Sequence, residues 1–243
     1  MVGIISDIGN YRKLHEDAVG YFENLRIRFY VIADGMGGHN AGEVASNLAI
    51  KGLIDYFKRK ELTDDFKDEL LRGIKKVNED IYKVSIEKET YKGMGTTVTA
   101  CVIHKNKMYI GHVGDSSCII VYKNNKIDKV TKDHSLVQEL VDSGSITKEE
   151  ASNHPNKNII TRALGVSDHV EVDIYEFQLE EIDKVLLCTD GLTNGVSLDD
   201  ILNYVISNSE EVACEKLVNL SKKNGSKDNI SAIVFKGADE NDR

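Results

Sequence analysis

Proline is nearly absent from this chain. A single Pro, at position 155, occurs in 243 residues, and no Pro-, Gly- or Ser-rich tract interrupts them. Nothing therefore reads as an interdomain linker, and one domain spanning residues 1–243 is expected. Basic residues are also in short supply. The chain has 31 Lys and Arg against 40 Asp and Glu, for a net charge of −9. That balance argues against a sequence-tolerant nucleic-acid surface, which needs clustered cations to neutralise phosphates. An ordinary acidic surface accounts for most of the excess. The cysteines Cys101, Cys118, Cys188 and Cys214 form no C-x-x-C pair, so a zinc site has no support. Three fall in expected strands and one in an expected helix, as buried, reduced thiols of a cytoplasmic protein would. The N-terminus lacks the basic stretch and apolar run of a signal peptide. No segment approaches the roughly 18 consecutive apolar residues of a membrane helix. A cytoplasmic monomer that engages neither membrane nor nucleic acid is the expectation.

What is present is periodicity. Alternation or short apolar runs predict strands at residues 2–6, 18–22, 27–33, 97–104, 107–113, 118–122, 170–177, 185–189 and 230–235. Lys105-Asn106 and Lys123-Asn124-Asn125 suit hairpin turns, because Asn tolerates positive φ. Four helices follow from apolar spacings of three and four. The first carries Val44/Leu48, Ile50/Ile54 and Leu53/Phe57, is apolar on more than one face and should be well buried. Phe66, Leu70, Ile74, Val77, Ile81 and Val84 make the single stripe of the second. Leu198, Ile201, Leu202, Val205 and Ile206 mark a third, and Ala213, Leu217 and Leu220 a fourth. Helices thus come in pairs between blocks of hairpins. An α+β fold follows, with antiparallel sheets packed face to face and helix pairs outside. Residues 132–163 stand apart. They hold two short helical patterns and the polar run Asn153-His154-Pro155-Asn156-Lys157-Asn158, and read as a surface insertion.

Two apolar strands run straight into Asp-Gly: Val31-Ile32-Ala33-Asp34-Gly35 and Leu186-Leu187-Cys188-Thr189-Asp190-Gly191. An unpaired carboxylate at the end of a buried strand is costly unless something neutralises it, and two such ends suggest a shared cation. Glu16-Asp17, Asp115 and Asp228 sit at similar junctions. A set of carboxylates with almost no His or Cys is the ligand chemistry of Mg²⁺ or Mn²⁺. The glycines of Asp34-Gly35-Met36-Gly37-Gly38-His39 also invite comparison with a dinucleotide loop. That reading fails, because position 40 is Asn and no G-K-[ST] follows. Singly, each acidic junction is as readily a turn or a solvated charge; the set and its order carry the signal. Arg12, five residues before Asp17, suits bidentate recognition of a phosphate, although an isolated Arg is more often plain surface. Among His39, His112 and His134, His39 has the best functional case, because it directly follows the first acidic loop.

In order, Arg12-Lys13-Leu14-His15-Glu16-Asp17, Asp34-Gly35-Met36-Gly37-Gly38-His39-Asn40-Ala41-Gly42-Glu43, Gly93-Met94-Gly95-Thr96-Thr97, Gly111-His112-Val113-Gly114-Asp115-Ser116, Cys188-Thr189-Asp190-Gly191-Leu192-Thr193 and Ser226-Lys227-Asp228-Asn229-Ile230 resemble the metal-dependent protein phosphatase family (PPM, type 2C). The resemblance is strongest to its compact bacterial members and spans residues 6–235. It implies a four-layer α-β-β-α sandwich and serine/threonine phosphoprotein phosphatase activity. By similarity, Asp34 bridges two Mn²⁺ or Mg²⁺ ions. The Gly35 carbonyl and Asp17 complete one side, and Asp190 and Asp228 hold the other. Asp115 with Asp190 matches the ligands of a third, weaker metal in bacterial members. One departure is visible: the family usually has Asn where this chain has His15, and a neutral His can take over a hydrogen-bonding role.

The resemblance implies direct hydrolysis by a metal-activated water. Arg12 would hold the phosphate oxygens, and His39 would serve the leaving Ser or Thr oxygen as proton donor or orienter. Phosphorylated proteins, the products of a serine/threonine kinase, are the expected substrates. Two other readings are a hydrolase of small phosphorylated metabolites on the same fold and a non-catalytic relative that binds phosphoproteins. Residues 134–158 are expected to form a mobile flap that selects protein substrates, since few apolar anchors beyond Leu136, Val137, Leu140, Val141 and Ile146 hold them.

Overall fold

The alternating segments form eleven strands in the computed structural model, which describes residues 1–37, 41–59 and 62–238. They are β1 (Val2–Asp7), β2 (Asp17–Glu23), β3 (Arg28–Met36), β4 (Gly95–Thr96), β5 (Val98–His104), β6 (Lys107–Val113), β7 (Ser117–Tyr122), β8 (Ile127–Lys129), β9 (Asp173–Gln178), β10 (Ile182–Cys188) and β11 (Ile230–Lys236). The helices are α1 (Ala41–Phe57), α2 (Phe66–Glu87), α3 (Leu136–Asp142), α4 (Lys148–Ser152), α5 (Asp190–Thr193), α6 (Leu198–Ser207) and α7 (Glu210–Lys223). One sheet has the order β1-β11-β10-β7-β8; the other has β2-β3-β5-β6-β9, with β4 alongside β3. Every pairing is antiparallel.

Three apolar layers hold four layers of structure together. Phe29, Val31 and Ala33 of β3 pack against Leu53 and Phe57 of α1 and Leu70 and Ile74 of α2. Tyr30 and Ile32, the alternate residues of β3, meet Leu187 and Phe235 of the other sheet. Leu186, Cys188 and Val234 pack outward against Ile201, Val205 and Leu217 of α6 and α7. Each large side chain fully buried in this way contributes about 1.5–3 kcal/mol. The α-β-β-α sandwich expected from the helix pairs is therefore the observed one. All four cysteines are buried and free, three on strands and one on α7.

Side-chain parity positions the site. Residues two apart on a strand share a face, and several strands turn from apolar to polar at the same end of the inter-sheet face. Val2 and Ile4 give way to Ser6, Tyr30 and Ile32 to Asp34, and Phe235 and Ile233 to Ser231. Likewise Val185 and Leu187 precede Thr189, and Val19 follows Asp17. One rim of the sandwich interior is thus lined by hydroxyls and carboxylates.

The strand ends differ from the sequence reading in one way that matters. β3 runs on to Met36, and β2 begins at Asp17, so Asp17, Asp34 and Gly35 lie inside paired strands rather than in loops. Cross-strand pairing with β2 and β4 holds them there, a tertiary effect invisible to local pattern. β8 and α5 are too short for periodicity to find. In the insertion, neither α3 nor α4 has a buried residue. Its stem is pinned by an isolated bridge between Ser135 and Ile160 and by Thr161 N–H donating to the His134 carbonyl at 2.8 Å. No helix among the described residues is long and apolar enough to cross a membrane.

Candidate active site

The antiparallel register of β2 and β3 sets Asp17 directly opposite Asp34. Asp34 is locked through its backbone. Its N–H donates to Thr97 Oγ1, and its carbonyl accepts from the Thr97 N–H and the Thr96 hydroxyl, all at 2.9 Å. Gly35 follows because nothing larger fits: a Cβ there would strike the carbonyls of Glu16 and Gly42. Asp17 Oδ2 accepts from Ser231 Oγ at 2.7 Å and from Thr189 Oγ1 at 2.9 Å, while its Oδ1 is buried without a partner. Asp190 opens α5; its Oδ2 accepts from Asn194 Nδ2 at 3.0 Å, and its Oδ1 is likewise orphaned.

Asp115 sits in the β6–β7 turn after Gly114, whose φ of +107° favours glycine. His134, at the stem of the insertion, clamps that peptide from both sides. The Gly114 N–H donates to His134 Nδ1 at 3.0 Å, and the Gly114 carbonyl accepts from the His134 N–H at 2.8 Å. Nε2 of the same ring lies 3.1 Å from Arg162 Nη1 and 3.3 Å from Asp173 Oδ2, and Arg162 Nη1 itself donates to Asp173 Oδ1 at 2.8 Å. Burial holds His134 below its ordinary pKa and pushes its neighbour His112 down to about 3. Both histidines are structural supports, as plain base rates suggest.

Arg12, Asp34, Gly35, Asp115, Asp190 and Asp228 surround one cavity of about 240 Å³, which Glu16, Asn158 and Ile160 also touch. Asp17, on β2 opposite Asp34, does not line it and is buried, 7% exposed. Six of the residues singled out from sequence therefore meet at one place, and Asp17 pairs across the strands with one of them, Asp34; His39 lies outside the described residues. Arg12 holds a different partner from the one expected: its Nη2 donates to Asp228 Oδ2 at 2.6 Å, and this bond keeps the guanidinium pKa above its ordinary value. The insertion contributes to the wall through Asn158 and Ile160.

The carboxylates burden one another. Burial raises Asp34 well above the usual range, and Asp17, Asp190, Asp115 and Asp228 add to the rise. Burial also lifts Asp17 to about 7, although the Ser231 and Thr189 hydroxyls oppose it. Asp115 is pushed to about 7 and Asp190 to about 6, again chiefly by burial. Among the described residues, no three acidic, imidazole or thiol side chains converge as a finished metal cage. They ring the cavity instead. The donor set still fits a hard divalent cation: carboxylates with orphaned buried oxygens, and no His or Cys in the described wall.

Sequence reasoning missed the residues that hold these groups in place. Asn229 is the clearest. Its N–H donates to Asp228 Oδ1 at 2.8 Å, its Oδ1 accepts from Glu16 N–H at 2.8 Å, and its Nδ2 donates to the Ile8 and Leu14 carbonyls at 3.0 Å. One side chain thereby staples the loop bearing Arg12 to the turn that bears Asp228, just before β11. Its place beside Asp228, within the motif Ser226-Lys227-Asp228-Asn229-Ile230, was the available signal. Thr97 and Thr189 stood within the motifs above but were given no role, and Ser231 had no signal beyond its position on β11.

Comparison with known proteins finds relatives of the same fold. The model of the family described as protein phosphatase 2C matches residues 12–228. The chain is 39% identical over 236 residues to the serine/threonine phosphatase stp of Listeria welshimeri, covering 94% of this chain and 92% of that protein. The crystal structure of serine/threonine phosphatase Stp1 from Staphylococcus aureus superimposes with a TM-score of 0.91 at 35% identity, covering 98% of this chain and 94% of that one. The catalytic domain of serine threonine protein phosphatase PstP, in complex with two manganese ions, does so with a TM-score of 0.86 at 32% identity and 98% coverage of both chains.

Proposed function

The chain belongs to the protein phosphatase 2C family, and from that premise we propose that its carboxylate-lined cavity is the metal-dependent catalytic centre. The protein is a serine/threonine phosphoprotein phosphatase, as relatives of 34–39% identity over most of its length are. Phosphorylated proteins are its substrates; small phosphorylated metabolites and a non-catalytic role are not favoured. The family is metal-dependent. Mn²⁺ or Mg²⁺ is the proposed ion here, two at the centre and a third beside Asp115.

The orphaned oxygens of Asp190 and Glu16 in the cavity wall, and that of Asp17, the register partner of Asp34, carry this reading. Asp34, Asp17 and the Gly35 carbonyl would hold one ion, and Asp34, Asp190 and Asp228 the other. When bound, the ions supply Lewis acidity that lowers the pKa of the attacking water. The chain's own residues do the rest. Thr96 and Thr97 fix Asp34 by its backbone, so that its carboxylate is preorganised. Arg12, whose side chain is 48% exposed at the cavity rim, is free to exchange Asp228 for phosphoryl oxygens and to offset their charge. Asn229 holds the Arg12 loop in place while it does so. The insertion, proposed as a flap over residues 134–158, brings Asn158 to the same wall.

The test is hydrolysis of a phosphothreonine peptide with added Mn²⁺. Turnover should vanish in chelator, and Asp34→Asn should lose about 100-fold or more, as removal of one preorganised electrostatic group commonly does. Full activity in chelator would refute the reading.

A further inference from the structure

We propose that His15 is a positioning residue for Asp17, acting through the hydroxyls of Ser6 and Ser231. The inference rests on the reading of Asp17 as a metal ligand. It gives a role to the one position where this chain departs from the motif it otherwise resembles.

An unbroken line of hydrogen bonds joins the two side chains. Ser231 Oγ lies 2.7 Å from Asp17 Oδ2, Ser6 Oγ lies 2.7 Å from Ser231 Oγ, and His15 Nε2 lies 2.9 Å from Ser6 Oγ. The sheet builds the middle of this line, because Ser6 and Ser231 are register partners on β1 and β11. Both belong to the face that looks between the sheets, where Asp17 lies.

Counting protons fixes the direction of every link. A carboxylate only accepts, and a serine hydroxyl has one proton to give. Ser231 spends its proton on Asp17. Ser6 must then donate to Ser231, which leaves the Ser6 oxygen to accept. The donor is therefore the Nε2–H of His15. This sets the tautomer and puts Nδ1 on the other side of the ring, where it is buried with no partner. The bond to Ser6 is thus the one hydrogen bond the ring makes among the described residues.

The line converges with a second branch. The Ser231 N–H donates to Thr189 Oγ1 at 3.0 Å, and the Thr189 hydroxyl donates to the same Asp17 oxygen at 2.9 Å. Both branches hold Oδ2 and neither touches Oδ1. Asp17 is thereby turned so that its unpartnered oxygen is the one available to a cation. Donors standing behind a ligating group orient it and tune its basicity, and their loss commonly weakens metal binding by about 10- to 100-fold. His15 stands two links further back than Ser231 and should count for less.

Side-chain length makes the proposal specific. An Asn amide nitrogen reaches about as far as the Nδ1 of imidazole, and a Gln amide nitrogen about as far as Nε2. His15→Gln can donate to Ser6; His15→Asn falls short.

Mn²⁺ binding to the full chain, read from the electron paramagnetic resonance of free Mn²⁺, tests this without reference to turnover. His15→Ala, His15→Asn and Ser6→Ala should weaken Mn²⁺ binding by about 3- to 10-fold, with His15→Gln restored to within about 2-fold of the parent. Asp17→Asn should weaken it by more than about 10-fold. The KM for a phosphopeptide at saturating Mn²⁺ should not move, because the line ends on Asp17 and not on Arg12. Unchanged Mn²⁺ affinity in His15→Ala and His15→Asn, beside a weakened Asp17→Asn, would reduce His15 to a strut of its loop and overturn the proposal. An unchanged Asp17→Asn would overturn the ligand reading itself, and the proposal with it. Should Ser6→Ala fail to fold, the half-buried His15 series decides alone.

Discussion

Asp17→Asn should make the metal-free protein more stable and should be stabilised less by Mn²⁺ than the parent is. Burial lifts the Asp17 carboxyl from 3.8 to about 7. At 1.36 kcal/mol per pKa unit, keeping it ionised costs the fold at most about 4 kcal/mol at neutral pH. The amide that replaces it carries no charge but brings N–H donors into the same buried spot, and an unmet donor costs about 1–3 kcal/mol. A net gain of about 2 kcal/mol is the working figure. For a chain of this size that raises Tm by about 4–8 °C. The sign with pH follows from linkage. The folded state holds the Asp17 proton more tightly than the unfolded chain does. The parent therefore has its full stability below about pH 4 and loses it as pH rises towards about 7. The gap between variant and parent should open across that window and be small at its acid end. Cation opposes this gain: Mn²⁺ at 100 times its Kd adds about 2.7 kcal/mol to a protein that binds it only when folded. A variant binding it about 10- to 100-fold less tightly forgoes about 1.3–2.3 kcal/mol of that, so the gap between the two should shrink. Thermal melts in chelator and in Mn²⁺, from about pH 4.5 to pH 8, measure both effects. A lower Tm for Asp17→Asn in chelator at neutral pH would refute the reasoning, because the carboxylate would then be satisfied without a cation.

Arg12→Ala should lower kcat/KM for a phosphopeptide by about 100-fold, with Mn²⁺ affinity essentially unchanged. A shift mainly in Mn²⁺ affinity would instead assign Arg12 to Asp228, the partner it holds at 2.6 Å. Shortening the insertion between α3 and α4, with its stem contacts at His134, Ser135 and Ile160 retained, should depress kcat/KM for a phosphoprotein about 10-fold more than for a small aryl phosphate. Equal losses on both substrates would make the segment a support for the cavity wall.

Much of this molecule is legible in its sequence, and for a physical reason. Helical stripes such as Phe66, Leu70 and Ile74 and alternations such as Tyr30 and Ile32 encode local geometry, and each reappears in the expected layer of the sandwich. Buried acidic strand ends are expensive, so Asp34 and Asp190 suggested a cation without any knowledge of their neighbours. Strand termini were less legible. Asp34 and Gly35 read as a loop, and only pairing with β2 and β4 keeps them extended.

Sequence by itself determined which faces are apolar, which strand ends are acidic, and that those ends offer carboxylates rather than thiols to a ligand. Tertiary structure alone decided who stands behind those carboxylates. Ser231 reaches Asp17 across 214 residues of chain, and Arg12 reaches Asp228 across 216. A serine or an asparagine carries no periodicity that distinguishes a support from a solvated surface group. Its role appears only when sheet register brings its one proton or its one amide to a partner. Local pattern fixes the direction in which a side chain points, and the closing of two sheets fixes what it meets.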